Sequence, residues 1–182
     1  VEIIRGSARK PVSTDRLVEI FEENFADLEG VLYVGYPVLS SSDESVSIDA
    51  LLISRNHGVV AINLVEGKNA DDYGELQDDV ASLLDAKFMQ HKVLRKGRKL
   101  LAIPETLTYA PLLDPEEDDD EHRLVNDTDI VDAIRSIEWN DPQLYEAVLS
   151  VIQSISTIRR NRRRRTNERT DSHGAALQAL ED

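Results

Sequence analysis

Three apolar segments in a row constrain this chain most: VLYVGYPVL at 31–39, SVSIDALLIS at 46–54 and GVVAINLV at 58–65. Each is rich in β-branched or leucine side chains, and they are separated only by SSSDE and RNHG, which is turn chemistry. The four-residue RNHG link predicts that the second and third segments form an antiparallel hairpin. A continuous apolar run is what a strand covered on both faces requires, so the segments predict the centre of a sheet with helices packed on it.

Helical signals flank this block. Before it, Ser13, Thr14 and Asp15 are candidate caps, Leu17, Phe21, Phe25 and Leu28 recur on one face, and Gly30 is the expected stop. After it, Leu76, Val80, Leu83, Leu84, Phe88 and Leu94 recur at helical spacing from Gly74 to about Arg95, and KLLAIP (99–104) reads as a further strand. That order is a β-α-β crossover. DPEEDDDE (114–121) consists of proline and acids alone and predicts a solvated loop. Asn126 or Asp127 then opens a short helix carrying Ile130, Val131, Ile134 and Ile137. A longer helix follows Asn140 or Asp141 and Pro142, with Leu144, Val148, Ile152, Ile155 and Ile158 as its apolar stripe. Trp139 stands between the two and is expected to anchor the core.

With 182 residues, 41% of them hydrophobic, one principal domain is expected. The absence of cysteine excludes disulfides, zinc-thiolate sites and cysteine nucleophiles, and it suits a reducing cytoplasm. Apolar runs such as Val59 to Val65 are far shorter than the roughly 20 residues needed to span a bilayer, so no membrane partner is expected. No G-x-x-x-x-G-K-[ST] or G-x-G-x-x-G pattern occurs, which removes the usual phosphate cradles. The chain starts at Val1 and stops at Asp182 within a helix-forming stretch, so a piece of a longer polypeptide is expected.

The net charge of −14 is unevenly spread, with seven arginines against four acids from Arg159 onward and 14 basic against 31 acidic residues before it. A body this acidic repels a polyanion, so contact with nucleic acid would fall to Arg159, Arg160, Arg162, Arg163, Arg164 and Arg165. The same run also reads as a charged linker. His57, His91, His122 and His173 are scattered, with no i, i+4 pair and no evident acid partner, and read as surface residues rather than ligands.

The order helix, strand, two-stranded hairpin, helix, strand over about 14–104 resembles the core of the PD-(D/E)XK nucleases, in particular the nuclease-related domains of bacterial multidomain proteins. The words that carry it are SIDALLISRNHGVVAINLVEGK, with Asp49 early in one hairpin strand and an apolar strand where the family has its E-x-K. The resemblance implies an α/β, restriction-endonuclease-like mixed sheet flanked by helices, with a C-terminal helical extension. It implies a nuclease-like domain over 1–158 and an arginine-rich connector over 159–182. In active members the two acids hold Mg²⁺ and the lysine orients the nucleophile. Here Asn63 and Val65 stand where Glu and Lys are expected, so the set Asp49, Asn63 and Glu66 reads as vestigial, with Asp49 the residual metal ligand. Glu66 and Lys68 lie just downstream, and Glu75, Lys87 or Lys92 are helix-borne substitutes to consider.

The amphipathic helix, arginine run and TDSHGAALQALED resemble the junction before the motor of bacterial superfamily 1 helicases with nuclease-like amino-terminal regions. The implied function is an accessory, catalytically degraded domain of a cytoplasmic DNA helicase, with a motor in the same polypeptide and DNA met through the basic tail. It requires no cofactor, Mg²⁺ entering only if cleavage survives. The alternatives are an active Mg²⁺-dependent nuclease and a protein-interaction module without nucleic-acid contact.

Overall fold

The structure is a computed structural model that describes residues 1–35, 48–113 and 121–154. Its elements are β1 (Glu2–Arg5), α1 (Pro11–Asn24), β2 (Gly30–Val34), β3 (Ala50–Ser54), β4 (Gly58–Leu64), α2 (Tyr73–Met89), β5 (Arg95–Lys96), β6 (Lys99–Leu100), β7 (Glu105–Tyr109), β8 (Leu124–Val125), α3 (Ile130–Arg135) and a last helix, α4, at 145–154. Six strands form one mixed sheet in the order β1-β2-β3-β4-β7-β8, and β5 and β6 make a separate two-stranded arm. β1 lies parallel to β2, β3 is antiparallel to both β2 and β4, and β7 runs parallel to β4 and to β8.

The architecture is therefore α/β, with helices on both faces of a mixed sheet. Every residue of β3 and β4 is buried, which explains why their sequences are apolar runs rather than alternations. Val31, Tyr33, Leu51, Ile53, Val59 and Ala61 face α2 and α4, meeting Val80, Leu84, Phe88, Val148 and Ile152. Leu32, Leu52, Val60 and Ile62 face the other way, onto Leu17 and Phe21 of α1 and Ile130 and Ile134 of α3. Burying one such side chain stabilises by about 1.5–3 kcal/mol, so these two layers dominate folding.

The expected hairpin is present: Ser54 pairs with Gly58 across a three-residue loop, and His57 N donates to Ser54 Oγ at 3.0 Å. Several boundaries differ from the sequence reading. α1 starts at Pro11, whose fixed φ suits the first turn of a helix, and Gly30 opens β2 rather than closing α1. The strand expected at 99–104 is displaced to Glu105–Tyr109, because Arg95–Leu100 folds back on itself as the small arm. α2 ends at Met89, six residues before Arg95, and a 3-10 turn at Pro142–Leu144 leads into α4. The edge strands β1 and β8 add to the expected four-stranded core. Trp139 packs against the core and covers Gly58. Most of the acidic loop 114–121, and Ile155 and Ile158 of the expected stripe, lie outside the described residues. No helix among the described residues is long and apolar enough to cross a membrane.

Candidate functional site

Parallel strands β4 and β7 end at the same edge of the sheet, and Asp49, which enters the antiparallel β3, lies at that edge too. Continuing the register Ala50↔Ile62 by one residue puts Asp49 opposite Asn63. The Asp49 carboxylate closes the end of the ladder, its Oδ2 accepting from Leu64 N at 2.8 Å and from Lys10 Nζ at 2.8 Å. Lys10 Nζ also donates to Leu64 O at 2.7 Å. Lys10 and Asp49 thus hold both backbone groups of the last β4 residue, and the Asp49 side chain is only 9% exposed.

β4 ends at Leu64, so strand alternation no longer governs Glu66. It turns to the start of α1, where Oε1 accepts from Ser13 N at 2.6 Å, while Ser13 Oγ donates to Val65 O at 2.7 Å. A carboxylate at a helix N-terminus satisfies orphan N–H groups and complements the dipole. Ser13 at the start of α1, helped by Val12 N–H and the Lys10 charge, holds the Glu66 carboxyl below its usual range.

Asn63 is 6% exposed, and its Oδ1 has no hydrogen-bond donor. It sits beside Thr108 of β7, whose Oγ1 accepts from Gln77 Nε2 at 2.8 Å. Gln77 also takes a bond from Thr106 Oγ1 and gives one to Arg123 O, which pins α2 to β7. A cleft of about 340 Å³ opens above this floor, lined among others by Lys10, Asn63, Glu66, Asp71, Asp72 and Leu76.

The structure thus gathers Asp49, Asn63 and Glu66 around one new participant, Lys10. Pro11 at a helix start was the available signal, since it puts residue 10 at the cap. Glu75 is at the near end of α2, but Lys87 is in its last turn, about 20 Å along the axis from Tyr73, and Lys92 lies beyond it. Neither lysine can serve this site. His122 does have an acid partner, Asp78 Oδ1 at 2.9 Å from Nε2, and His57 Nδ1 meets Ile137 O at 2.8 Å. Arg159, Arg160, Arg162, Arg163, Arg164 and Arg165 lie outside the described residues.

The donor set does not fit a Mg²⁺ ion, which demands hard oxygens in near-octahedral array. Asp49 Oδ2 is committed to an ammonium and an amide N–H, Asn63 carries no charge, and Glu66 is bound to the end of α1. Among the described residues no three His, Cys, Asp or Glu are grouped to hold a metal. Comparison with protein-family models, curated proteins and solved structures finds no match for this chain.

Proposed function

We propose that the chain is a nuclease-like domain without cleavage activity, an accessory part of a DNA helicase that binds or positions rather than cuts. The element order α1-β2-β3-β4-α2-β7, with an antiparallel hairpin and a parallel crossover, supports the restriction-endonuclease-like reading. The Lys10–Asp49 pair carries the loss of activity. The carboxylate that would bind a divalent cation is instead neutralised by an ammonium of the same chain. An ion pair of this kind, with Asp49 almost buried, serves the fold by tying the start of α1 to the ends of β3 and β4. The helicase and DNA assignments rest on the arginine run and the segment after it, at the level of sequence.

Plasmid and oligonucleotide cleavage with Mg²⁺ or Mn²⁺, by the parent chain and by Asp49→Ala, tests this. The expected result is no metal-dependent cutting by either protein. Cutting that requires metal and disappears in Asp49→Ala would establish the Mg²⁺ nuclease instead.

A further inference from the structure

The small arm made by β5 and β6 interrupts the acidity of the body. Between Asp85 and Glu105 the chain holds six basic residues, Lys87, Lys92, Arg95, Lys96, Arg98 and Lys99, and no acid. Among the described residues no carboxylate pairs with any of the six, whereas Arg5, Lys10, Arg16 and Arg55 each hold one. Two of the six have work in the fold. Lys87 lies in the last turn of α2, where a cation complements the helix dipole. Arg95 braces the arm, its Nε donating to Met89 O at 2.9 Å and its Nη1 to Gly97 O at 2.7 Å. Lys92, Lys96, Arg98 and Lys99 are exposed and have no such task.

The register of the arm brings these charges together. Arg95 pairs with Leu100 and Lys96 with Lys99, across a two-residue turn of Gly97 and Arg98. Side chains alternate along a strand, so Leu100, which packs on the core, and Arg95 share one face while Lys96 and Lys99 share the other. Residues directly opposite stand about 4.5–5.5 Å apart at Cβ, and like charges so placed repel. The pair is thus a local cost that the fold does not need. Gly97 has φ +62°, and a Cβ built there meets nothing within 4 Å, so the turn stands in open space. The base of the arm is fixed by Leu94, which is fully buried and whose carbonyl accepts from Leu101 N at 2.8 Å.

We propose that this arm contacts the phosphate backbone of duplex DNA through Lys96 and Lys99, with Arg98 in the turn and Lys92 at its foot, where Lys92 O accepts the Arg95 N–H. A two-stranded ribbon fits the major groove, and a narrow arm reaches a rod-shaped polyanion while the acidic body stays back. A planar anionic surface would meet that body as well. The arm leads into the amino end of β7, where Glu105 pairs with Val60, and so lies at the opposite edge of the sheet from Asp49. A duplex held there is kept away from Asp49, in keeping with a domain that positions DNA. The DNA contact proposed above rests on the arginine run, whereas this one rests on the arm and stands or falls separately.

The test titrates a labelled duplex with the full chain at several salt concentrations. Lys96→Gln/Lys99→Gln is compared with its parent, both with the run intact and with Arg162, Arg163, Arg164 and Arg165 replaced by alanine. Two lost phosphate contacts should flatten the logarithmic salt slope by about 1.8 in both backgrounds. Arg9→Gln/Arg123→Gln, which removes the same charge from exposed positions elsewhere, should leave the slope unchanged. Lys96→Arg/Lys99→Arg should keep the parental slope, which separates lost charge from a disturbed hairpin. A loss confined to the arm pair supports the arm and removes the run, and a loss confined to the run variant overturns the arm. The proposal is also overturned if the parent shows no salt-dependent binding or if the control pair flattens the slope equally. Lysines that merely guard a strand edge predict no change in the arm pair. Vesicles of phosphatidylserine and phosphatidylcholine form the last arm of the test, and binding to them that needs Lys96 and Lys99 while duplex binding does not would assign the arm to a membrane instead.

Discussion

Lys10 Nζ lies 2.8 Å from Asp49 Oδ2, an ion pair across 39 positions of sequence that fixes the start of α1 to the edge of the sheet where β3 begins and β4 ends. The two partners are not equivalent. Asp49 also accepts the Leu64 N–H, so Asp49→Ala frees a backbone donor and leaves the ammonium unpaired, whereas Lys10→Met leaves Asp49 its backbone bond. The expected cost is about 2–4 kcal/mol for Asp49→Ala and about 1 kcal/mol for Lys10→Met, whose side chain is one-third exposed. Urea unfolding of the three proteins checks the order, and a Lys10→Met variant less stable than Asp49→Ala would refute it.

Glu66 predicts a pH dependence of definite sign. Its folded pKa is lowered from the ordinary 4.5, chiefly by Ser13, whose N–H it accepts. The ionised form is the one that folding favours, so the contribution is present above about 4.5 and lost as pH falls below it through the folded value. Glu66→Gln should therefore be less stable than the parent at neutral pH, with the gap closing in acid. Denaturant midpoints across that range measure it, and a gap that widens on acidification contradicts the assigned bonds.

The sheet was legible in the sequence because its central strands are buried on both faces. The segments around Leu51–Ile53 and Val59–Ile62 could hardly be anything else, and RNHG announced their hairpin. β7 was harder to place. Its Thr106 and Thr108 meet Gln77 rather than an apolar helix face, so its apolar content is diluted and the nearby KLLAIP run drew the expectation six residues early. Short edge strands such as Leu124–Val125 have too few residues to show a period. At the site, Asp49, Asn63 and Glu66 were visible as residue types, whereas Lys10 was not, because nothing local connects residue 10 to residues 49 and 64. Ser13 shows the same effect: it looked like a helix cap, yet its hydroxyl bonds Val65 O across the chain.

Gly58 separates backbone strain from packing. It adopts φ +73°, and a Cβ built there would lie 2.9 Å from Trp139 Cγ. Gly67 has a similar φ of +80° with nothing within 4 Å. Gly67→Ala should cost about 1 kcal/mol, the left-handed backbone penalty alone. Gly58→Ala carries the same penalty and must also displace the indole, so about 2–3 kcal/mol is expected. Thermal unfolding with Trp139 fluorescence, the single tryptophan in the chain, reports both the loss and the local displacement. Equal costs at the two glycines would mean that Trp139 does not pack on the hairpin turn.

The arginine run gives the DNA assignment its sharpest prediction, because the rest of the chain is strongly acidic and opposes a polyanion. Each arginine that neutralises a phosphate releases counterions, so the logarithm of affinity should fall with the logarithm of salt by about 0.9 per contact on duplex DNA. Four contacts give a slope of about −3.6. Replacing Arg162, Arg163, Arg164 and Arg165 with alanine should weaken binding to all sequences alike and flatten that slope. The variant should keep the unfolding midpoint of the parent, since the apolar stripe expected of the last helix ends at Ile158, before the run begins. A linker that only separates domains, or that folds back on the acidic body, predicts the opposite: weak binding at physiological salt and no difference between the two proteins. Anisotropy titrations of a labelled duplex at several salt concentrations decide between them, and identical curves for parent and variant would remove DNA from the proposed function.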